Sequence, residues 1–347
     1  MRLLITPLDY SGQAGVSHTG LRISCLNTAK VLVNAGLDVL VCPIVSVFAN
    51  PKIPGQNLDE LIQQYSPTHV VTAAFWEPIP DVTALALKYP YVQFAVNCHS
   101  NIAFLQVEPG GIGLLRKLVD LEMSSTNFHV SGNSHNFVAA VTGSWKSPCA
   151  YLPNLYYLDG TTPTSQPLYA GGTLRIACLG APRPFKNHTV AAWAALGIAS
   201  ARNAQLEFYV NSGRDDKSGS VGAKILQAVK AIMNDLPYAT LMVQPWQPWP
   251  EHRRLTSSMN LLIQPSFSET FLIVAADAVA DGTPVVVSDV VEWAPHHWKA
   301  RPDDVEDVVR VGLALLADHR APQQGLAALA ANNVSGVAAW KTYLGVN

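Results

Sequence analysis

The chain has 347 residues, 49% of them hydrophobic and 14% charged, with a formal net charge of −2. This length accommodates two domains with cores of their own, and the composition excludes a disordered or fibrous protein. The charge balance lacks the basic excess of a protein that grips nucleic acid through bulk electrostatics, and no apolar run reaches the roughly 18–20 residues that span a bilayer.

The first residues, MRLLITPLDYSGQ, hold a short apolar stretch that ends in polar loop residues, without a signal-peptide cleavage pattern. Residues 2–6 read as a strand, followed by a small-residue loop. Residues 20–35 read as a helix, with Leu21, Cys25, Leu26, Ala29, Leu32 and Val33 at helical spacing and Gly36 as its stop. Strands are expected over residues 38–43, 69–73, 92–96, 128–131 and 151–154, and helices over 58–64, 82–87, 111–123 and 137–142. β-branched runs alternating with helical patterns are the signature of a doubly wound parallel sheet.

Residues 158–172 (LDGTTPTSQPLYAGG) are rich in Thr, Pro, Gly and Ser and read as a linker. A second α/β series follows, with strands over 174–179, 206–210, 240–243, 261–264 and 284–288. Its helices cover 189–200, 221–234, 255–258, 271–280, 303–318 and 321–331. Ligands of such sheets lie beyond the carboxyl ends of the strands, so two sheets imply two doubly wound Rossmann-like domains facing across a cleft. The five cysteines, Cys25, Cys42, Cys98, Cys149 and Cys178, have no metal-ligand spacing. They read as free thiols of a cytoplasmic protein.

Chemistry concentrates in the second half. The strand ending in CLGAPRPFKNHT brings Arg183 and Lys186 to the loop that opens the next helix. A helix N-terminus offers unpaired N–H groups and partial positive charge, and an Arg and a Lys beside it suit a diphosphate. An ordinary solvated loop with two cations has the same appearance. In PSFSETFLIVAADAVADGTPVVVSD, Glu269 stands at the end of a strand and Asp277 interrupts an apolar helix eight residues later. Glu269 as a plain first-turn acid and Asp277 as a cap of a neighbouring loop are the structural alternatives. His99 ends a strand of the first half, followed by Ser100 and Asn101, where a structural role competes with a polar contact to ligand. His18 and His135 are weaker candidates of that kind, and the adjacent His296 and His297 read as loop. No Asp-x-Asp appears, and Asp215-Asp216 lies in a Gly/Ser-rich loop with Arg214 and Lys217. No Gly-x-Gly-x-x-Gly follows either first strand, against a nicotinamide-dependent oxidoreductase.

Several landmarks occur together and in order. They are Gly12 and Gly15 in SGQAGVSH, His99 in VQFAVNCHS, Pro153-Asn154 in AYLPNLYY, Gly180…Lys186-Asn187, Pro265-Ser266-x-x-Glu269, and AVADGTPVVVSD. In this arrangement the chain resembles the retaining nucleotide-sugar glycosyltransferases of the two-Rossmann GT-B fold, family 4 in particular, most strongly over residues 174–290. The resemblance implies an α/β GT-B fold with an acceptor-binding domain over 1–157, the linker 158–172 and a donor-binding domain over 173–324. A C-terminal helix, about 325–347, is then expected to pack back on the first domain.

By the same resemblance, Glu269 and His99 serve catalysis. Arg183, Lys186, Gly15 and the backbone of Thr270, Phe271 and Leu272 hold the donor diphosphate, and Asp277 the ribose. Gln244 and Trp246 in VQPWQPWPEHRR are candidates for the base, and Trp249 is open between stacking and packing. No cofactor and no metal are expected, the Arg–Lys clamp taking the metal's electrostatic part. The donor expected is a UDP- or GDP-sugar. The acceptor is open among a saccharide, a lipid, a small metabolite and a modified DNA base. A phage-type enzyme for hydroxymethylated pyrimidines and a non-catalytic nucleotide-sugar binding protein are the alternatives. FLQVEPGGIGLLRKLV suggests either an apolar face for peripheral membrane contact or a buried helix. Two departures stand out. Asp277 replaces the family's second Glu, and Thr270 and Leu272 replace the glycines that flank its first acid.

Overall fold

A computed structural model describes residues 1–7, 20–49, 55–73, 79–107, 110–160, 169, 171–212 and 220–347. Gly12, Gly15, His18 and the 214–217 charge cluster lie outside the described residues. The chain forms two compact units, residues 1–157 with 332–347, and residues 158–331.

The first unit carries strands β1 (Arg2–Thr6), β2 (Asp38–Val41), β3 (His69–Thr72), β4 (Gln93–Cys98), β5 (Phe128–Gly132) and β6 (Ala150–Tyr151). They form one parallel sheet in the order 2-1-3-4-5-6. Parallel neighbours need crossovers, here supplied by α1 (Gly20–Asn34), α2 (Leu58–Tyr65), α3 (Ile79–Lys88), α4 (Ile102–Leu105), α5 (Gly111–Ser124) and α6 (His135–Trp145). Alternation along β1 sends Leu4 into a core with Val70, Phe94, Phe128 and Phe137, and Leu3 and Ile5 into a second core with Leu32, Leu152 and Leu155. α5 buries Leu115, Leu118 and Val119 in the first core. That face of the segment considered for membrane contact is therefore interior.

The second unit carries β7 (Thr173–Cys178), β8 (Gln205–Asn211), β9 (Ala239–Gln244), β10 (Leu261–Gln264) and β11 (Val285–Val287). These are parallel in the order 11-10-7-8-9. Its helices are α7 (His188–Ala201), α8 (Val221–Met233), α9 (Trp249–Ser257), α10 (Ile273–Ala280) and α11 (Val305–Ala317). The chain leaves β7 toward β8 and β9 and returns on the opposite side of β7 as β10. The order reverses at β7/β10, and such a reversal opens a crevice at the carboxyl ends of the two strands.

Several elements differ from the pattern reading, among them α4, which it lacked. α9 starts at Trp249, six residues before the expected 255, because Pro248 caps it and Pro250 sits in the first turn, where a missing N–H costs nothing. His296–Trp298, read as loop, is a short 3-10 turn that buries Trp298 completely. The expected helices near the C-terminus are one, α12 (Ala321–Leu344). Its Asn332 and Asn333 break the apolar pattern but donate to the carbonyls of Asn154 and Tyr156, and Trp340 donates to that of Pro153. No helix among the described residues is long and apolar enough to cross a membrane.

Candidate active site

β7 delivers the chain to Gly180, whose φ of +100° favours glycine and whose N–H donates to Asn211 Oδ1 at 2.8 Å. A 3-10 turn over Pro184–Lys186 follows, and Asn187, in the left-handed region at φ 57°, leads into α7. This loop is stitched to the one after β10. Asn187 Nδ2 donates to the carbonyls of Pro265 (3.3 Å) and Pro302 (2.5 Å), and the Phe267 N–H to that of Phe185 (2.8 Å). The stitching brings Lys186 Nζ to 2.5 Å from Glu269 Oε1, with 16% of each side chain exposed. Two residues proposed from separate motifs thus meet at the sheet's switch point.

Two polar groups that feel the Lys186 charge, the Cys178 thiol and the His188 ring, are themselves uncharged at neutral pH. Burial pushes the Cys178 thiol up to about 12. The His188 ring is 1% exposed, and burial, with the Lys186 charge second, holds it down to about 4. Among the described residues neither ring nitrogen has a hydrogen-bond partner. Arg183, on the same loop, is exposed.

Helix α10 begins at Ile273, two residues after the expected Phe271. Leu272 precedes it in the left-handed region, φ 59° and ψ 71°, which the helix cannot propagate through. The strained residue is held from both sides. Its side chain is 3% exposed, and the neighbouring Phe271 carbonyl accepts the Trp293 indole N–H at 2.7 Å. The Phe271 side chain is also buried, at 4%, so neither residue presents its side chain at the surface. The N–H groups of the first turn have no intrahelical acceptor.

Asp277 is 2% exposed. Its Oδ1 accepts the Trp249 indole N–H at 2.9 Å, and its Oδ2 lies 3.9 Å from His252 Nε2. Burial holds His252 down to about 4, so that imidazole is neutral. Arg253 lies over the Trp249 ring at 5.5 Å and pairs with Asp281. Trp249 is therefore a packing anchor. Gln244 ends the edge strand β9, where its carbonyl accepts from the Ser212 N–H, and Trp246 is partly buried in the following loop. In the sheet order β8 lies between β9 and the strand that leads to Lys186, and both β7 and β8 lie between β9 and the strand that leads to Glu269.

In the first unit His99 follows β4, with the amide nitrogens of Asn97 and Asn133 at 3.5 and 3.4 Å from its two ring nitrogens. Asn97 is itself fixed on the Leu152 carbonyl, and desolvation pushes His99 down to about 4. His135 stacks on Tyr151 with ring centroids 3.8 Å apart, a packing role. Sequence reasoning carried Asn187 as part of the Gly180…Lys186-Asn187 landmark and gave no role to His188 or His252. An Asn just before a helix was a readable sign of a left-handed residue, whereas the two histidines carried no local signal. No group of three or more His, Cys, Asp or Glu among the described residues is placed to hold a metal.

Residues 136–291, from α6 of the first unit past β11, match the model of a family described as "Family 4 Glycosyltransferase in conflict systems". No curated protein matches the chain in sequence. Among solved structures, Anabaena HepE in complex with UDP and glucose superposes with a TM-score of 0.63 at 14% identity, over 99% of each chain. Sucrose-phosphate synthase from Thermosynechococcus elongatus gives 0.62 at 16%, over 97% of this chain and 94% of that one. A variant of S. aureus TarM in complex with Fondaparinux, alpha-GlcNAc-glycerol and UDP gives 0.59 at 12%, over 79% of this chain. The chain spans about half of TarM, 54% of its length. The fold is that of the GT-B glycosyltransferases. Within that class, residues 136–291, just under half of the chain, are similar to family 4.

Proposed function

We propose that the chain transfers a sugar from a nucleoside diphosphate sugar to a hydroxyl acceptor, retaining the anomeric configuration and needing neither metal nor cofactor. The observation that carries this reading is the Lys186–Glu269 pair at the β7/β10 switch point, with Arg183 on the loop of Lys186 and α10 opening four residues after Glu269. In the reaction, the bond from the anomeric carbon to the diphosphate oxygen breaks and its electron pair stays on the leaving group. The acceptor oxygen bonds to that carbon and gives up its proton to the departing diphosphate oxygen. Lys186, Arg183 and the backbone N–H groups at 270–272 stabilise the leaving charge, which is where preorganised donors act most strongly.

Glu269 is assigned to the hydroxyls of the donor sugar and Asp277, oriented by Trp249, to the ribose. Gln244 and Trp246 lie about two strand spacings from β7, roughly 10 Å, a span that a nucleotide bridges to place its base there. His99, neutral at physiological pH, serves as a hydrogen-bond partner rather than a cation. UDP- and GDP-sugars are the donors assigned, and HepE and TarM were each solved with UDP. The acceptor belongs to the hydroxyl class: a saccharide, a lipid, a small metabolite or a modified base. All five cysteines are unpaired, which suits a cytoplasmic protein.

Calorimetry with UDP, GDP and their sugars tests the site. Arg183→Ala and Lys186→Ala are each expected to weaken binding by about 1.5–3 kcal/mol, the range for a charge-assisted hydrogen bond. Transfer is expected to survive excess EDTA, and proton NMR of fresh product to show the donor's anomeric coupling. Unchanged affinity in both variants would remove the diphosphate from this site. Inverted product, or activity lost to EDTA and restored by manganese, would overturn retention or metal independence.

A further inference from the structure

Lys186 and Glu269, assigned above to the diphosphate and the sugar of a donor, are bound to each other in this structure. The contact is 2.5 Å long and five-sixths buried on both sides. Among the described residues, Glu269 is the one anion within ion-pair distance of Lys186. Its other polar neighbours, the Cys178 thiol and the His188 ring, are uncharged at neutral pH. A desolvated ammonium needs a counter-charge, and Glu269 supplies it. A diphosphate arriving at Lys186 brings negative oxygens toward the same carboxylate. Like charges at this separation repel strongly where water is scarce. A sugar on the diphosphate changes that balance, because its hydroxyls donate hydrogen bonds to a carboxylate. A bare nucleoside diphosphate has nothing to offer Glu269.

We infer that Glu269 is a competitor for Lys186 that discriminates the sugar-bearing donor from the spent nucleotide. When the sugar departs, the carboxylate recaptures the ammonium and weakens the hold on the nucleoside diphosphate. The inference rests on the donor reading above and adds to it a reason for product release.

The test is calorimetry of UDP and GDP binding to the whole protein and to Glu269→Gln, Lys186→Gln and the double variant. Glu269→Gln is expected to bind the nucleoside diphosphate about tenfold tighter than the parent. In the Lys186→Gln background, the same substitution is expected to change affinity by less than about twofold, the range within which independent changes add. Unchanged or weaker binding in Glu269→Gln overturns the inference while leaving the donor reading intact. Equal tightening in the Lys186→Gln background also overturns it, since general repulsion and not exchange of the pair would then be at work. If the parent binds neither UDP nor GDP, the donor reading fails and this inference falls with it. Circular dichroism checks that each variant folds. Should Glu269→Gln fail to fold, Glu269→Asp, which withdraws the carboxylate by one methylene, carries the same expected direction and the same overturning results.

Discussion

Gly180 and Leu272 both sit at positive φ beside the candidate site, one as glycine and one not. At Gly180 an added Cβ would lie 3.7 Å from Val274 Cγ2 and 3.9 Å from Lys186 Nζ, so space is adequate and the backbone is the obstacle. Gly180→Ala is expected to cost about 1–2 kcal/mol in urea denaturation, the penalty of a Cβ in this region. Donor affinity is expected to fall with it, because the strained turn carries the loop of Lys186. A variant as stable as the parent would mean the turn relaxes without loss. Leu272 meets the same penalty and persists because burying a leucine is worth about 2–5 kcal/mol, more than the strain. The resemblance places a glycine there, and the φ of 59° is one that glycine adopts freely.

At the scale of elements, α9 shows how a polar segment becomes a helix. Of WPEHRRLTS only Thr256 is buried, so apolar packing contributes little. A two-rung ladder holds it instead. Trp249 and Arg253, one turn apart, reach Asp277 of α10 and Asp281, the residue that caps it. Thr283 Oγ1 adds a bond to the Thr256 carbonyl at 2.9 Å. Trp249→Phe keeps the ring and removes the donor from a carboxylate 2% exposed. Chemical denaturation is expected to show a loss of about 1.5–3 kcal/mol. Arg253→Ala is expected to cost less, since its pair is 26% and 18% exposed and solvent screens it. The reverse ranking would place the weight of the ladder on the ion pair.

Across the whole molecule, acid is the expected weak side. His99, His188 and His252 are each held down to about 4, and His69 and His129 are also lowered, all chiefly by burial. In the unfolded chain these rings bind protons near the ordinary histidine value of about 6.5. Below that pH the unfolded state takes up more protons than the folded one, so stability falls as pH drops from about 6.5 toward about 4. It is fully present above that window. The thermal midpoint is expected to be flat above neutrality and to fall through pH 6 and 5, less steeply in His252→Gln. A midpoint constant from pH 7 to 5 would show that the rings are solvated.

The alternation of strand and helix was legible in the chain because side-chain period and stop residues are local. β1 and β10 came out residue for residue as read. The acids and cations of the site were legible too, each from its own motif. Their meeting was not. Glu269 finds Lys186 because β10 returns beside β7, and Asn187 stitches the two loops across the gap. The delayed start of α10 escaped because it depends on a left-handed leucine held by burial, whereas the prolines that open α9 were readable in the chain. Period, punctuation and residue chemistry are properties of neighbours along the chain, so the sequence alone determined the two parallel sheets and the identity of the charged residues. Which charge faces which is decided by strand order and burial, and those exist only once the chain has folded.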